Sequence, residues 1–190
     1  MNPIHLKSII KFFKSLSIED DIITEASKEF KLIKIKPNTV LLNQGDQHKY
    51  GYFISSGILR SSYHSDIGGE YSKEYYFKNE MAFLYSSWLN KSPATYQISA
   101  LNHSELIRVP LHLLDLKEWL PAKIALLQQQ LLYKEDKEIF LLLKTPEERY
   151  LHLLEHSPEW TSSLNNIQLA TYIGINPISL SRIKNRIKMR

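Results

Sequence analysis

The stretch LATYIGINPISLSRIKNRIK, residues 169–188, contains two helical segments joined by a turn of only three residues, GIN. Asn165 precedes the first segment, and Gln168 follows Asn165 at the spacing of a capping box, in which side chains and backbone amides pair at a helix N-terminus. Gly174 ends this segment, because glycine readily takes the left-handed conformation in which helices stop. We therefore expect a short helix that runs to about Ile173.

The second segment has the features of a helix packed steeply against the first. Asn176 is placed to cap it, and Pro177 suits its first position. So short a turn needs a small side chain where the helices approach most closely, and Ala170 supplies it. These constraints predict a helix-turn-helix whose second helix, roughly residues 177–188, can enter a major groove. Apolar residues at helical spacing would face inward: Leu169, Ile173, Ile175, Leu180, Ile183 and Ile187.

The outward side of the second helix is polar and basic, with Lys184 and Lys188 flanking it. Arg182 suits a bidentate contact to guanine, and Asn185 or Arg186 suits a base edge or a phosphate. The Ser179 hydroxyl, together with the helix N-terminus beside it, suits a contact to a phosphate. The predicted DNA-binding residues are Asn165, Asn176, Ile178, Ser179, Ser181, Arg182, Asn185 and Arg186.

Positive charge is concentrated at this end of the chain. The formal net charge of the 190 residues is +4, yet residues 160–190 carry five basic residues and no acid. Such a distribution favours a polyanionic partner, because neutralised phosphates release counterions. Two alternatives are a helical hairpin that only packs, with its bases solvated, and a basic helix on a membrane surface. The membrane alternative fits less well, because the apolar side chains are already needed inside.

Glycine and alternating apolar residues mark an earlier zone as antiparallel sheet. Five of the six glycines lie between Gly45 and Gly69. We expect a small barrel or roll over residues 31–110, and a preceding helix capped by Ser17. Predicted strands lie in LIKIKPNTVLL, YFISSGILRSSY, EYSKEYYF and TYQISALNHSELIRVP.

Residues 121–143 predict one long helix, because they contain no glycine and many strong helix formers. Thr145 then suits the N-cap of another helix, Pro146–His156, whose first turn is acidic. The long helix would form either a dimer seam or a face packed on its own roll. The seam residues are Ile124, Leu127, Leu131, Ile139, Leu142 and Leu143.

The order of roll, long helix and helix-turn-helix resembles the Crp/Fnr family of bacterial transcription regulators. Residues 33–63 resemble the family's opening strands, with glycine turns at Gly45-Asp46 and Ser56-Gly57, and residues 166–187 resemble its DNA-reading unit. The resemblance implies an α+β fold with three parts. Residues 1–120 would form a cyclic-nucleotide-binding-like sensor domain, which is an antiparallel β-roll (double-stranded β-helix) with flanking helices. Residues 121–144 would form a dimerisation helix, and residues 145–190 a helix-turn-helix domain with a truncated or absent wing. The resemblance also implies a homodimer on a two-fold double-stranded DNA operator.

The predicted effector site departs from the family's pattern. Cyclic-nucleotide-binding members hold the ligand with a Gly-Glu pair and an arginine, whereas this chain has Asn79 before Glu80, and Ala94 or Thr95 at the arginine position. Losing the guanidinium partner of a cyclic phosphate leaves weaker, neutral hydrogen bonds. We therefore expect an effector other than cyclic AMP, with Asn79, Glu80 and Thr95 as candidate contacts; Glu80 could equally be a plain turn carboxylate.

Other classes of function are disfavoured. The chain has no cysteine, so thiolate chemistry and cysteine-ligated metals are excluded, and no HExxH zinc spacing, catalytic triad or phosphate loop is present. We predict no enzyme activity, cofactor or metal, and a cytoplasmic protein without membrane segments. The histidines at strand turns (His48, His64, His103) and the aromatic cluster (Tyr71, Tyr75, Tyr76, Phe77, Phe83, Tyr85, Trp88) are interpreted as surface and core residues respectively, rather than haem ligands or an effector pocket. A sensor or scaffold module that has lost DNA binding is the alternative function.

Overall fold

A computed structural model describes residues 3–65 and 68–189. The chain forms two compact units, residues 1–129 and 130–190. The first contains the sheets with their flanking helices, and the second contains the shorter C-terminal helices. None of the helices in the described ranges is long and apolar enough to cross a membrane.

The first unit begins with helices α1 (Pro3–Ser15) and α2 (Asp20–Ala26), followed by a 3-10 turn at Ser27–Glu29. The prediction that Ser17 caps a helix is wrong, because α2 begins after Glu19. Ser17 instead lies at the end of α1 with a positive φ of 63°, and its N–H donates to the carbonyl oxygen of Lys14 at 3.0 Å. It therefore belongs to the termination of α1 rather than to the start of α2.

Within the described residues, eight antiparallel strands form two four-stranded sheets that do not close into a barrel, which confirms the predicted roll. The order is β1-β8-β3-β6 in one sheet and β2-β7-β4-β5 in the other. Helix α3 (Tyr85–Leu89), which the sequence did not indicate, lies between β6 and β7. The strands are β1 (Lys31–Ile35), β2 (Val40–Leu42), β3 (Tyr50–Ser56), β4 (Leu59–His64), β5 (Glu70–Tyr76), β6 (Met81–Ala82), β7 (Gln97–Ala100) and β8 (Ser104–Pro110).

The first unit has two apolar clusters. One packs α1, α2 and the start of the long helix against the first sheet, and Phe13 meets Trp119 edge-on with ring centroids 4.9 Å apart. The other contains residues from both sheets, including Ile54, Leu59 and Ile98. Among the predicted aromatic cluster Tyr75, Phe83 and Trp88 are buried, but Tyr71 is exposed. The interpretation as core is therefore correct for those three and wrong for Tyr71, which lies on the edge strand β5.

The C-terminal helices follow two 3-10 segments, Leu111–Asp115 and Lys117–Trp119. Thr145 caps α5 as predicted: the Glu148 N–H donates to Thr145 Oγ1 at 3.3 Å, and the Thr145 N–H donates to Glu148 Oε2 at 2.7 Å. Helix α6 was not predicted. The helices are α4 (Leu120–Leu143), α5 (Pro146–His156), α6 (Pro158–Ser163), α7 (Asn166–Tyr172) and α8 (Pro177–Lys188).

Two glycine turns of the roll differ in how tightly they are packed. Gly57 joins β3 to β4 with φ 93°, and a Cβ atom there would lie 2.7 Å from the Cα of Ser104, at the start of β8. Gly45, which follows β2, has φ 91°, but no atom lies within 4 Å of a Cβ placed on it. Both turns need a left-handed backbone, but only the turn at Gly57 also lacks space for a side chain.

We predict that Gly57→Ala lowers the free energy of unfolding by about 3 kcal/mol or more, because backbone strain and a steric clash with another strand add. Gly45→Ala is the matched control and should cost about 1–2 kcal/mol, from strain alone. Urea unfolding monitored by circular dichroism measures both. Equal losses in the two variants would contradict the close packing between the two turns.

Candidate nucleic-acid interface

The N-termini of α7 and α8 are fixed by asparagine caps. The Gln168 N–H donates to Asn165 Oδ1 at 2.9 Å, and the Asn165 N–H donates to Gln168 Oε1 at 2.9 Å, which is the predicted capping box. The Ile178 N–H donates to Asn176 Oδ1 at 2.7 Å. Each asparagine oxygen thus satisfies a backbone amide that the helix leaves unpaired.

The turn between α7 and α8 has the predicted construction. Gly174 has φ 72°, and the Ile175 N–H returns to the carbonyl oxygen of Ala170 at 2.9 Å. Ala170 is fully buried, as expected for the point of closest approach. The wedge between the helices is filled by Leu169, Ile173, Leu180 and Ile183, which are all buried, and Ile175 and Ile187 are half-buried.

Asn166 links the two helices directly, a role that sequence reasoning missed. Its Nδ2 donates to the carbonyl oxygen of Pro177 at 2.8 Å and to Ser181 Oγ at 3.0 Å. The first turn of α8 is therefore held to the first turn of α7 by polar contacts as well as by apolar packing. Asparagine at the first position of a helix gave no signal for such a cross-link.

Arg149 on α5 joins three chain segments through backbone oxygens, and sequence reasoning missed it as well. Its Nε donates to the carbonyl oxygen of Lys144 at 3.0 Å and its Nη2 to that of Leu141 at 2.5 Å. Its Nη1 donates to the carbonyl oxygen of Ile173 at 2.7 Å, at the C-terminus of α7. One guanidinium group thus satisfies carbonyls at the ends of α4 and α7.

Tyr172 at the end of α7 packs against several aromatic residues of the same unit. Its hydroxyl lies 3.2 Å from the hydroxyl of Tyr133 on α4. Its ring centroid lies 4.5 Å from that of Trp160 on α6 and 6.4 Å from that of Phe140 on α4. The helix-turn-helix is therefore built onto the C-terminal half of α4 rather than carried on a free linker.

Contacts within the chain divide the eight predicted DNA-binding residues into two groups. Asn165 and Asn176 are caps, Ser181 accepts from Asn166, and Arg186 pairs with Glu147 on α5 at 3.1 Å. The second group is exposed and consists of Ile178, Ser179, Arg182 and Asn185. Within residues 3–65 and 68–189, these side chains make no hydrogen bond or ion pair to another side chain.

Three members of the second group lie on one accessible side of α8. Ile178, Arg182 and Asn185 follow one another at helical spacing, opposite the buried Leu180 and Ile183. Lys184 lies off this side, because its Nζ is 5.4 Å from the centroid of the Tyr150 ring, where partial burial lowers the pKa of the ammonium group. Of the five basic residues predicted at this end, Arg190 lies outside the described residues.

The residues predicted to contact an effector lie in two connecting segments of the roll, between β5 and β6 and just before β7. Asn79 follows β5 with a positive φ of 69°, a conformation that asparagine tolerates better than most residues, and its N–H donates to the carbonyl oxygen of Ile54 at 2.8 Å. Glu80 Oε2 accepts from the Phe77 N–H at 2.8 Å, so the carboxylate takes part in its own turn. Thr95 is exposed just before β7. Effector binding by these three residues stays a prediction.

Lys73 contacts Tyr96, the residue that follows Thr95. The Lys73 Nζ is 3.3 Å from the hydroxyl of Tyr96 and 4.3 Å from the centre of its ring. Tyr96 is buried, and burial raises its pKa above the usual value for tyrosine. Lys91, which lies between α3 and Thr95, pairs with Asp115 instead. The cation next to Thr95 is therefore an ammonium group stacked on tyrosine rather than a guanidinium fork.

Of the three histidines at strand turns, two lie at the surface as predicted, whereas the surface interpretation is wrong for His48. His48 is partly buried beside Phe83, and burial lowers its pKa to about 4, so it is neutral near pH 7. His64 lies 3.7 Å from Glu70, and His103 is exposed. In the described part of the chain, no three His, Asp or Glu side chains gather as metal ligands would.

Comparison with known proteins identifies the fold. No protein-family model and no curated protein matches this chain. The structure of FixK2 from Bradyrhizobium japonicum matches with a TM-score of 0.72 and 16% identity, over 84% of this chain and 85% of that chain. A regulator of the Crp/Fnr family from Eubacterium rectale matches with a TM-score of 0.67 and 16% identity, over 91% and 85%.

The global regulator CLP of Xanthomonas campestris, described as responsive to c-di-GMP, matches with a TM-score of 0.66 and 15% identity, over 90% of this chain and 92% of that chain. The chain has the Crp/Fnr fold. Two of these three proteins are described as regulators, and none as an enzyme. The sequence prediction of the Crp/Fnr fold class, a roll with flanking helices followed by a long helix and a helix-turn-helix, is confirmed.

We predict that Arg149→Met lowers the free energy of unfolding by about 2–4 kcal/mol, because it leaves three backbone carbonyls without their charged donor. Arg182→Met is the matched control. It removes an exposed arginine of the same unit and should change stability by no more than about 0.5 kcal/mol. Chemical denaturation of both variants measures the difference, and a loss for Arg149→Met as small as that of the control would refute the bridging role.

Proposed function

We propose that this protein is a sequence-specific DNA-binding transcription regulator of the Crp/Fnr type. The observation that carries the proposal is the exposed side of α8, where Arg182 and Asn185 have no side-chain partner in the described chain. Arginine and asparagine are the side chains that bond guanine and adenine edges bidentately. The proposal places α8 in the major groove, with the capped N-terminus of the helix towards the bases.

Contacts within the chain suggest a role for each residue. Arg182 bonds guanine, Asn185 bonds a base edge, and Ser179 bonds a phosphate beside the N-terminus of α8. Asn165, Asn176 and Ser181, which are held within the chain, keep α8 at its angle. Arg186 reaches a phosphate only if it exchanges its pairing with Glu147 for that contact, so its net contribution should be small.

We also propose that two copies of the chain form a homodimer along the predicted seam of α4. Several apolar side chains of the helix are exposed, with Leu131 at 62%, although Leu127 is partly buried in the apolar cluster that α1 and α2 share. At 3.6 residues per turn, most of them fall on one side of α4. Exposed apolar side chains repeating along one side are typical of an association surface. Those exposed on this side are Leu120, Ile124, Leu131, Ile139 and Leu142, whereas Leu132 and the predicted seam residue Leu143 are exposed outside it.

The roll is proposed to sense an effector other than cyclic AMP. Its candidate contacts Asn79, Glu80 and Thr95 include no arginine, and Glu80 is already bonded in its turn. An anionic cyclic phosphate would therefore find no guanidinium fork among these contacts. The alternative function, a sensor module without specific DNA binding, is an outcome of the experiments below.

We predict that Arg182→Ala weakens operator binding by about 1–3 kcal/mol and relaxes preference at one base position. Operators are first selected from random double-stranded DNA, and affinity is then measured by fluorescence anisotropy across a salt series. Lys188→Ala is the control: it should weaken binding to every sequence alike and reduce the salt dependence. Absence of any sequence preference in the selection would favour the sensor-module alternative.

We predict that Leu131→Glu shifts the protein towards monomer, because a charge placed at the proposed seam cannot be buried without a partner. Sedimentation velocity over a range of protein concentrations measures the shift. Leu89→Glu, at another exposed leucine (47%) on α3, is the control and should leave the association state unchanged. Monomeric wild-type protein, or an unaffected Leu131→Glu dimer, would count against this seam.

A further inference from the structure

Ile178 is an apolar side chain in an otherwise polar setting. It lies in the first turn of α8, is 63% exposed, and faces away from the buried Leu180 and Ile183. Its position is fixed, since its own N–H donates to Asn176 Oδ1 at 2.7 Å. The chain therefore presents a branched aliphatic group at a defined place on the side of α8 proposed to face DNA.

The neighbours of Ile178 limit what it can contact. Ser179 and Arg182 are exposed and polar, and Ser181 is held by Asn166. A single isoleucine among such residues is too small for a protein-docking patch, which usually covers several hundred Å². Residues 160–189 also carry four basic residues and no acid, so the complementary surface is anionic.

In a major groove, the apolar group available to such a side chain is the C5-methyl group of thymine. Cytosine, adenine and guanine lack this methyl group, so Ile178 pressed against them would cover hydrogen-bonding atoms that it cannot satisfy and would gain no comparable apolar contact. Its neighbour Arg182 suits guanine for the opposite reason. The two side chains therefore suit different bases through apolar and charged contacts respectively.

We propose that Ile178 selects thymine in each operator half-site by packing against its methyl group; this inference rests on the proposed DNA-binding function. Ile178 and Arg182 are four residues apart, about 6 Å along the helix axis. Base pairs are spaced about 3.4 Å apart. The selected thymine therefore lies within about one or two base pairs of the guanine bonded by Arg182.

The test compares thymine with deoxyuridine, which differs only by the methyl group. An operator is selected from random DNA, and each conserved thymine near the conserved guanine is replaced by deoxyuridine in turn. Anisotropy should show wild-type protein binding one such operator about fourfold more weakly, the loss expected for one buried methyl group. Ile178→Ala should bind the thymine and deoxyuridine operators equally.

Ile167→Ala is the matched control, because Ile167 is as exposed (64%) but lies on α7. This variant should keep the fourfold preference. A conserved operator in which every deoxyuridine replacement is silent, or in which Ile178→Ala keeps the preference, overturns the thymine contact and leaves DNA binding intact. Failure to select any operator overturns both proposals. Thermal melting should show that Ile178→Ala folds like wild type, as expected for an exposed side chain.

Discussion

The close crossing of α7 and α8 is the constraint on which the C-terminal unit depends. A turn of three residues brings the helices together only if one residue takes a left-handed backbone and another has almost no side chain. Gly174 and Ala170 meet these needs, and the Ile175 amide closes the turn on the Ala170 carbonyl. Once the crossing is fixed, the apolar side chains of both helices face one another, and the remaining side of α8 is left to solvent.

Polar contacts then connect this crossing to the rest of its unit. Arg149 bonds carbonyls at the C-termini of α4 and α7 with one planar group, and Tyr172 packs on side chains of α4 and α6. A lysine could not reproduce three directed bonds from one rigid fork. On α8, polar side chains divide into two sets. Those bonded within the chain hold the helix in place, and those without a partner are available to bind a ligand.

In the roll, the residues that hold the sheets together differ from those predicted to contact an effector. Its two sheets depend on close turns, such as the one that packs Gly57 against Ser104. These turns contain none of the residues predicted to contact an effector. The turn at Asn79 keeps the left-handed backbone that a glycine would provide, and Glu80 is retained but bonded to Phe77. Lys73 stacks on Tyr96, which follows Thr95, one of the two residues at the position where the resemblance predicts an arginine. Fold similarity at 15–16% identity therefore says nothing about an effector.

Local chemistry in the sequence determined the caps at Thr145, Asn165 and Asn176, the stop at Gly174 and the apolar face of α8, because these features depend on residues within one or two turns of each other. The same locality explains the error at Ser17, where two competing local signals, a cap and a helix end, lie side by side. Tertiary structure alone decided which polar side chains are already hydrogen-bonded or ion-paired within the chain. Asn166, Arg149 and Glu147 bond to partners far along the chain, and no spacing pattern records such pairs. It also left Ile178 and Arg182 exposed without partners, since that outcome depends on where every other side chain packs.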